Sequence, residues 1–108
     1  MASTNFTFTG SYAMVTYDLE NNDITARQIA DASGGKFVTA IEMKNGATYH
    51  LPDTTLWDKS FSSIENTNSA FRQAFQAAKA LKRGAQSTIR RDVVLDVSNK
   101  PAYMEDEH

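Results

Sequence analysis

The sequence predicts an α+β fold: a two-layer sandwich in which a mostly antiparallel sheet of about five strands packs on one long amphipathic helix at about residues 62–83. Three observations carry this. The N-terminal part alternates apolar and polar residues. An Asn-Gly pair sits at the centre of a hairpin pattern. A capping signal opens a stretch of apolar residues spaced three and four apart.

Phe6-Thr7-Phe8-Thr9 alternates as a half-buried strand does, and Gly10-Ser11 interrupts it. From Tyr12 the alternation resumes, with Ala13, Val15, Tyr17 and Leu19 on one face. Strands are expected at about 5–9 and 12–19, or as one strand bulged at Gly10. Glu20-Asn21-Asn22-Asp23 is a turn cluster. Residues 24–32 read either as a strand or as a helix capped by Asp23 and ended by Gly34-Gly35. The strand is favoured, because the apolar residues are few for a helix face.

Residues 37–51 form the clearest hairpin. Asn45-Gly46 supplies the two positive-φ positions of a type I′ turn, which pairs Lys44 with Ala47 and Glu42 with Tyr49. Pro52 ends the return strand, since it has no N–H to give the ladder. Leu56-Trp57 follows as a short strand or an anchor. Ser62 and Glu65 fit a capping box behind Phe61. Ile64, Asn68, Phe71, Phe75, Ala78 and Leu81 then make one helical stripe, and Gly84 stops it. Asn66-Thr67-Asn68-Ser69 is a weak helix run and a point where the helix is open to breaking. Residues 89–97 read as the last strand, with Val93, Leu95 and Val97 on one face and Asp92, Val94 and Asp96 on the other. The domain is expected over 1–100, with 101–108 as a flexible acidic tail.

The chain has 108 residues and no cysteine, which removes disulfide scaffolds, thiolate metal sites and cysteine nucleophiles. No secretory leader is expected from the polar start, and no apolar run approaches the ~20 residues a membrane helix needs. A cytoplasmic location fits these features. No catalytic, metal or cofactor signature is present. His50 lies on a predicted strand, and His108 is terminal. The pairs Asp53/Asp58 and Asp92/Asp96 are read as turn and solvent-face residues rather than acid–base pairs.

The charge distribution is more informative than the net charge of −2. Between Asn66 and Arg91 there is no acidic residue, while Arg72, Lys79, Lys82, Arg83, Arg90 and Arg91 fall in that window. They predict a basic patch near the helix C-terminus, a candidate surface for a protein or anion. The ordinary alternative is that these cations complement the helix dipole.

The hairpin followed by an alanine-rich helix is similar in outline to a double-stranded-RNA-binding domain. Asn66-Thr67-Asn68-Ser69 stands where that family has lysines. Residues 24–32 are similar to the first helix of a helix-turn-helix, but a hairpin pattern follows them. Neither resemblance assigns the chain to a family.

The expected function is a small non-enzymatic protein-binding module, such as a regulator or inhibitor of a larger host protein. Phage and mobile-element accessory proteins share its size and lack of cysteine. The alternative is a nucleic-acid binder using the basic patch. Self-association to a homodimer through a sheet edge is a further expectation.

Overall fold

The computed structural model describes residues 2–106. It is a small α+β fold with one long helix, but the strands divide among three antiparallel sheets of four, two and two strands instead of forming one sheet of five. In chain order they are β1 (Ala2–Thr7), β2 (Ala13–Glu20), α1 (Ala26–Asp31), β3 (Phe37–Val38), β4 (Ala40–Glu42), β5 (Thr48–His50), β6 (Thr55–Asp58), α2 (Ile64–Leu81), β7 (Thr88–Asp96) and β8 (Pro101–Asp106). The main sheet has the order β3-β6-β2-β7, while β1 pairs with β8 and β4 with β5.

The inward face of β2 sets the core. Ala13, Val15, Tyr17 and Leu19 are all buried, in the alternation that the sequence shows. Leu56 of β6 stands opposite Val15, and Val94 of β7 stands on its other side, so these side chains share the face that meets the helices. Phe71, Ala74, Phe75 and Ala78 of α2 and Ile29 of α1 close over them.

Residues 24–32 contain a helix, not the favoured strand. Thr25 caps it, not Asp23: its hydroxyl accepts the Gln28 N–H at 3.1 Å, and the Gln28 side chain returns to the Thr25 N–H at 2.8 Å. The apolar face is narrow because only Ile29 and Ala30 need burying. With β3 following it, no second helix completes a helix-turn-helix.

In α2 the cap is Ser63, one residue later than expected. Its backbone is extended, and its hydroxyl accepts the Asn66 N–H at 3.1 Å. The helix does not break at residues 66–69. Thr67 gives its hydroxyl to buried Asp58, and Asn68 gives its amide to Asp92. Both side chains are thereby kept from competing for the helix backbone. Thr67, Phe71, Ala74, Phe75 and Ala78 are the buried residues, while Ile64 and Leu81 at the ends of the predicted stripe are exposed.

The hairpin register differs by one residue from the expected one. Glu42 faces Thr48 and Ile41 faces Tyr49, and Met43 donates no further than Ala47. The loop therefore holds three residues, Lys44 to Gly46. Only Gly46 has positive φ (87°), while Asn45 uses its side-chain oxygen to accept the Ala47 N–H at 2.9 Å. A type I′ turn needs positive φ at both central positions, so this loop takes the longer form. A one-residue slip exchanges the faces: Ile41 now shares a side with Tyr49, not with Thr48 and His50.

The stretch from Pro101 to Asp106, expected within a flexible tail, is a strand instead. All six residues pair with β1. The joint to the main sheet is also bonded: Phe8 N–H donates to Lys100 O at 2.9 Å and Val97 N–H to Tyr12 O at 3.1 Å. Gly10 turns this corner at φ 130°, and a Cβ there would lie 3.1 Å from the Tyr12 ring. The β1–β8 ribbon is thus an arm continuing the β2–β7 ladder. Glu107 and His108 lie outside the described residues.

Tyr17 is buried, and its hydroxyl has no hydrogen-bond partner among the described residues. Burial first, and the charge of Asp53 second, push its pKa up to about 12 from 10.0. The raised folded value means that stability present below pH 10 is lost as pH rises toward 12. Tyr17→Phe is expected to keep or raise stability at neutral pH, by up to about 1 kcal/mol, because an unpaired buried hydroxyl is removed. It should also flatten the alkaline decline. Urea denaturation at pH 7 and 10.5 checks both.

Candidate functional site

Of the six cations singled out in the sequence, Arg72, Arg90 and Arg91 are ion-paired and Lys82 is bonded to a main-chain carbonyl. Arg72 lies over β7, where it meets Asp92 at 3.2 Å. Lys82 caps the end of α2 and donates to the Asp23 carbonyl. Arg90 and Arg91 both reach one carboxylate, Asp18, at 3.8 and 3.5 Å. A β-bulge explains this: Asp18 faces Arg91 and Leu19 faces Ile89, so Arg90 is the extra residue and both arginines converge on Asp18. Lys79 and Arg83 make no ion pair among the described residues. Asp18 and Asp92 thus lie against three of these cations.

The other polar clusters are also structural. Asp23 accepts the N–H groups of Gln86 and Ser87 and bonds the Ser87 hydroxyl. The Gln86 N–H, then the Ser87 hydroxyl, hold its carboxyl below the usual value. This clamps the turn before α1 to the loop after α2. Asp96 is lowered likewise, chiefly by the Ser98 N–H. Asp92 is not on the solvent face as expected; it bonds Asn68 and Arg72 of α2. Asp58 is not a turn residue either; it lies fully buried in β6. His50 is exposed on β5, and its ring makes no hydrogen bond among the described residues. Among those residues no group of three His, Cys, Asp or Glu converges as metal ligands would, and no helix is long and apolar enough to cross a membrane.

The distinctive surface lies on the opposite face of the main sheet, away from both helices. Register places Val38 opposite Trp57, Trp57 opposite Met14 and Met14 opposite Leu95. An apolar row therefore crosses all four strands β3-β6-β2-β7. Val93 stands beside it, opposite Thr16. Leu95 and Val93 are each 48% exposed. The expectation that their side of β7 is the core side is reversed: Val94 is the inward residue. In a run of three apolar residues among four, alternation alone does not say which side meets the helix.

At one end the row runs under an aromatic cluster. The Trp57 ring lies 4.6 Å from Phe8 and 5.2 Å from Tyr12, the latter nearly stacked at 23°. Phe6 meets Phe8 edge-on at 4.8 Å. These contacts hold the β1–β8 arm over the sheet and bury Trp57. Beside the cluster, between the arm and the β4–β5 hairpin, is a groove of about 720 Å³ whose rim carries Glu42, Lys44 and Lys59. The sequence showed Phe6, Phe8, Tyr12 and Trp57 as aromatic strand residues. It could not show that they meet, because Trp57 is 45 or more residues from the other three.

Comparison with family models, curated proteins and solved structures finds no match to the chain.

Proposed function

We propose that this protein is a non-enzymatic docking module that binds a larger protein through the helix-free face of its four-stranded sheet, at the β7 end where Val93 and Leu95 are exposed, as a regulator or inhibitor does. The observation that carries the proposal is the apolar row Val38-Trp57-Met14-Leu95, with Val93 beside it and with helices on the other face of the sheet only. Trp57 is buried and Val38 and Met14 are half-buried, so the open part of the row is Leu95 with Val93 beside it; adjoining exposed apolar groups mark interaction surfaces more often than isolated ones do. An aromatic anchor beside them suits a binding hot spot. The cysteine-free composition is compatible with the cytoplasm, and the proposal places the protein there.

The nucleic-acid alternative has weaker support. Arg72, Arg90 and Arg91 are paired to carboxylates, and Lys82 is tied to a main-chain carbonyl. Homodimerisation through the β7 edge is also disfavoured, because Asp92 and Asp96 on this edge strand are charges of the kind that discourage edge pairing.

The test is Val93→Asp combined with Leu95→Asp. Both side chains are half exposed, so the double variant should fold with little loss of stability, within about 1 kcal/mol. Proteins crosslinked to the wild-type chain in its host extract should be lost from the variant and kept by Lys100→Ala. Retention of the same crosslinked partner by the double variant removes the reading.

A further inference from the structure

The groove between the arm and the hairpin has walls with open main-chain edges. β1 is hydrogen-bonded along one edge, to β8, and β4 along one edge, to β5. The groove is lined by residues 6–9 and by residues 38 and 40–45, but by no residue of β8 or β5. Among the described residues no strand pairs with the other edge of β1 or of β4. A strand edge left unpaired presents N–H and C=O groups spaced to receive another strand.

We propose that this groove binds an extended peptide segment of the protein partner by β-strand addition. Main-chain bonds to β1 or β4 supply the attachment, and alternate apolar side chains of the peptide rest on the half-buried Phe8 and Tyr12, under which Trp57 lies. The rim sets the charge preference. Lys44 and Lys59 outnumber Glu42, and none of the three is ion-paired among the described residues. The fitting segment is thus apolar at alternate positions and acidic at its ends. From Phe6 to Thr9 the wall runs about 10 Å at ~3.3 Å per residue, enough for roughly four to six peptide residues. Contacts this small give weak, exchanging complexes, with Kd on the order of 100 μM. This inference rests on the protein-docking reading and specifies one mode of it.

Trp57 is the single tryptophan, so its emission reports on the groove. The probes are blocked six-residue peptides of alternating valine and threonine, ending in glutamate or in lysine. The glutamate-ended peptide should shift Trp57 emission and bind at least about threefold more tightly than the lysine-ended one, a difference of roughly 0.7 kcal/mol. Lys44→Glu with Lys59→Glu should reverse that order. N-methylation of alternate peptide amides should abolish binding, because it removes the ladder donors and leaves the side chains. Equal binding by the N-methylated peptide overturns strand addition. So does an unchanged Trp57 emission with both peptides up to about 1 mM. An emission change that depends on protein concentration without peptide assigns the groove to a second copy, and overturns the peptide. If the peptides fail while Val93→Asp with Leu95→Asp still releases the partner, docking on the sheet face stands and only strand addition falls.

Discussion

Asp58→Ala is expected to lower the unfolding free energy by about 3 kcal/mol, the cost of breaking a buried charged network from one side. For a domain near 100 residues this is a fall in Tm of about 12–24 °C. The side chain is fully buried. Its carboxylate takes the Lys36 ammonium at 3.2 Å, the Thr67 hydroxyl at 2.7 Å and the Ser60 N–H at 2.9 Å. Three elements are thereby tied to β6: the loop before β3, the loop before α2 and the first turn of α2 itself. Alanine leaves the Thr67 hydroxyl without its acceptor in a site closed to water. Lys36 is less affected, since 24% of its side chain remains exposed. That difference gives a second expectation. Thr67→Val in the Asp58→Ala background should restore part of the loss, because it removes the stranded donor and keeps the shape. Urea denaturation of the four proteins measures the cycle. A cost below about 1 kcal/mol for Asp58→Ala would falsify the view that this network joins the sheet to α2.

The same residue shows where reading the sequence stops. Asp58 looks like one of several aspartates in a turn-rich segment, and its burial depends on Thr67 and Lys36 arriving from elsewhere. Local patterns transferred well. The 2-period of residues 13–19 marked the buried face of β2, and the 3.6-period with a serine cap marked α2. The failures share one cause: a distant partner decided the outcome. Residues 101–106 look like a tail until β1 is beside them to form a ladder. The stripe of α2 ends early because nothing covers Leu81. The basic residues look like a patch until Asp18, Asp23 and Asp92 are folded against them. The proposed docking face was out of reach for the same reason, since Val38, Trp57, Met14 and Leu95 are brought into one row only by the strand order β3-β6-β2-β7.

Phe71→Ala should be at least as damaging, at about 3–5 kcal/mol, while Leu81→Ala should change stability by less than about 0.5 kcal/mol. Both residues lie on the helical stripe that the sequence displays. Phe71 is 0% exposed, and its ring centroid lies 5.0 Å from that of Tyr17 on β2. Leu81 is 81% exposed. The loss at Phe71 combines the ring's transfer from water with the cavity left between α2 and the sheet, which Tyr17, Phe75 and Val15 cannot collapse to fill without leaving their own contacts. Domains of this size hold about 5–15 kcal/mol in total, so the loss is a large share of the stability. At Leu81 alanine removes an apolar side chain from water and improves helix propensity slightly, so the two effects leave little net change. Comparing the two by thermal unfolding separates burial from periodicity as the source of the helix's stability. Equal costs at the two sites would mean that α2 is not seated on the sheet by Phe71. The Tyr17 side of β2 would then no longer be the face seated on α2, and the opposite face with Leu95 and Val93 would lose its claim to be the open one.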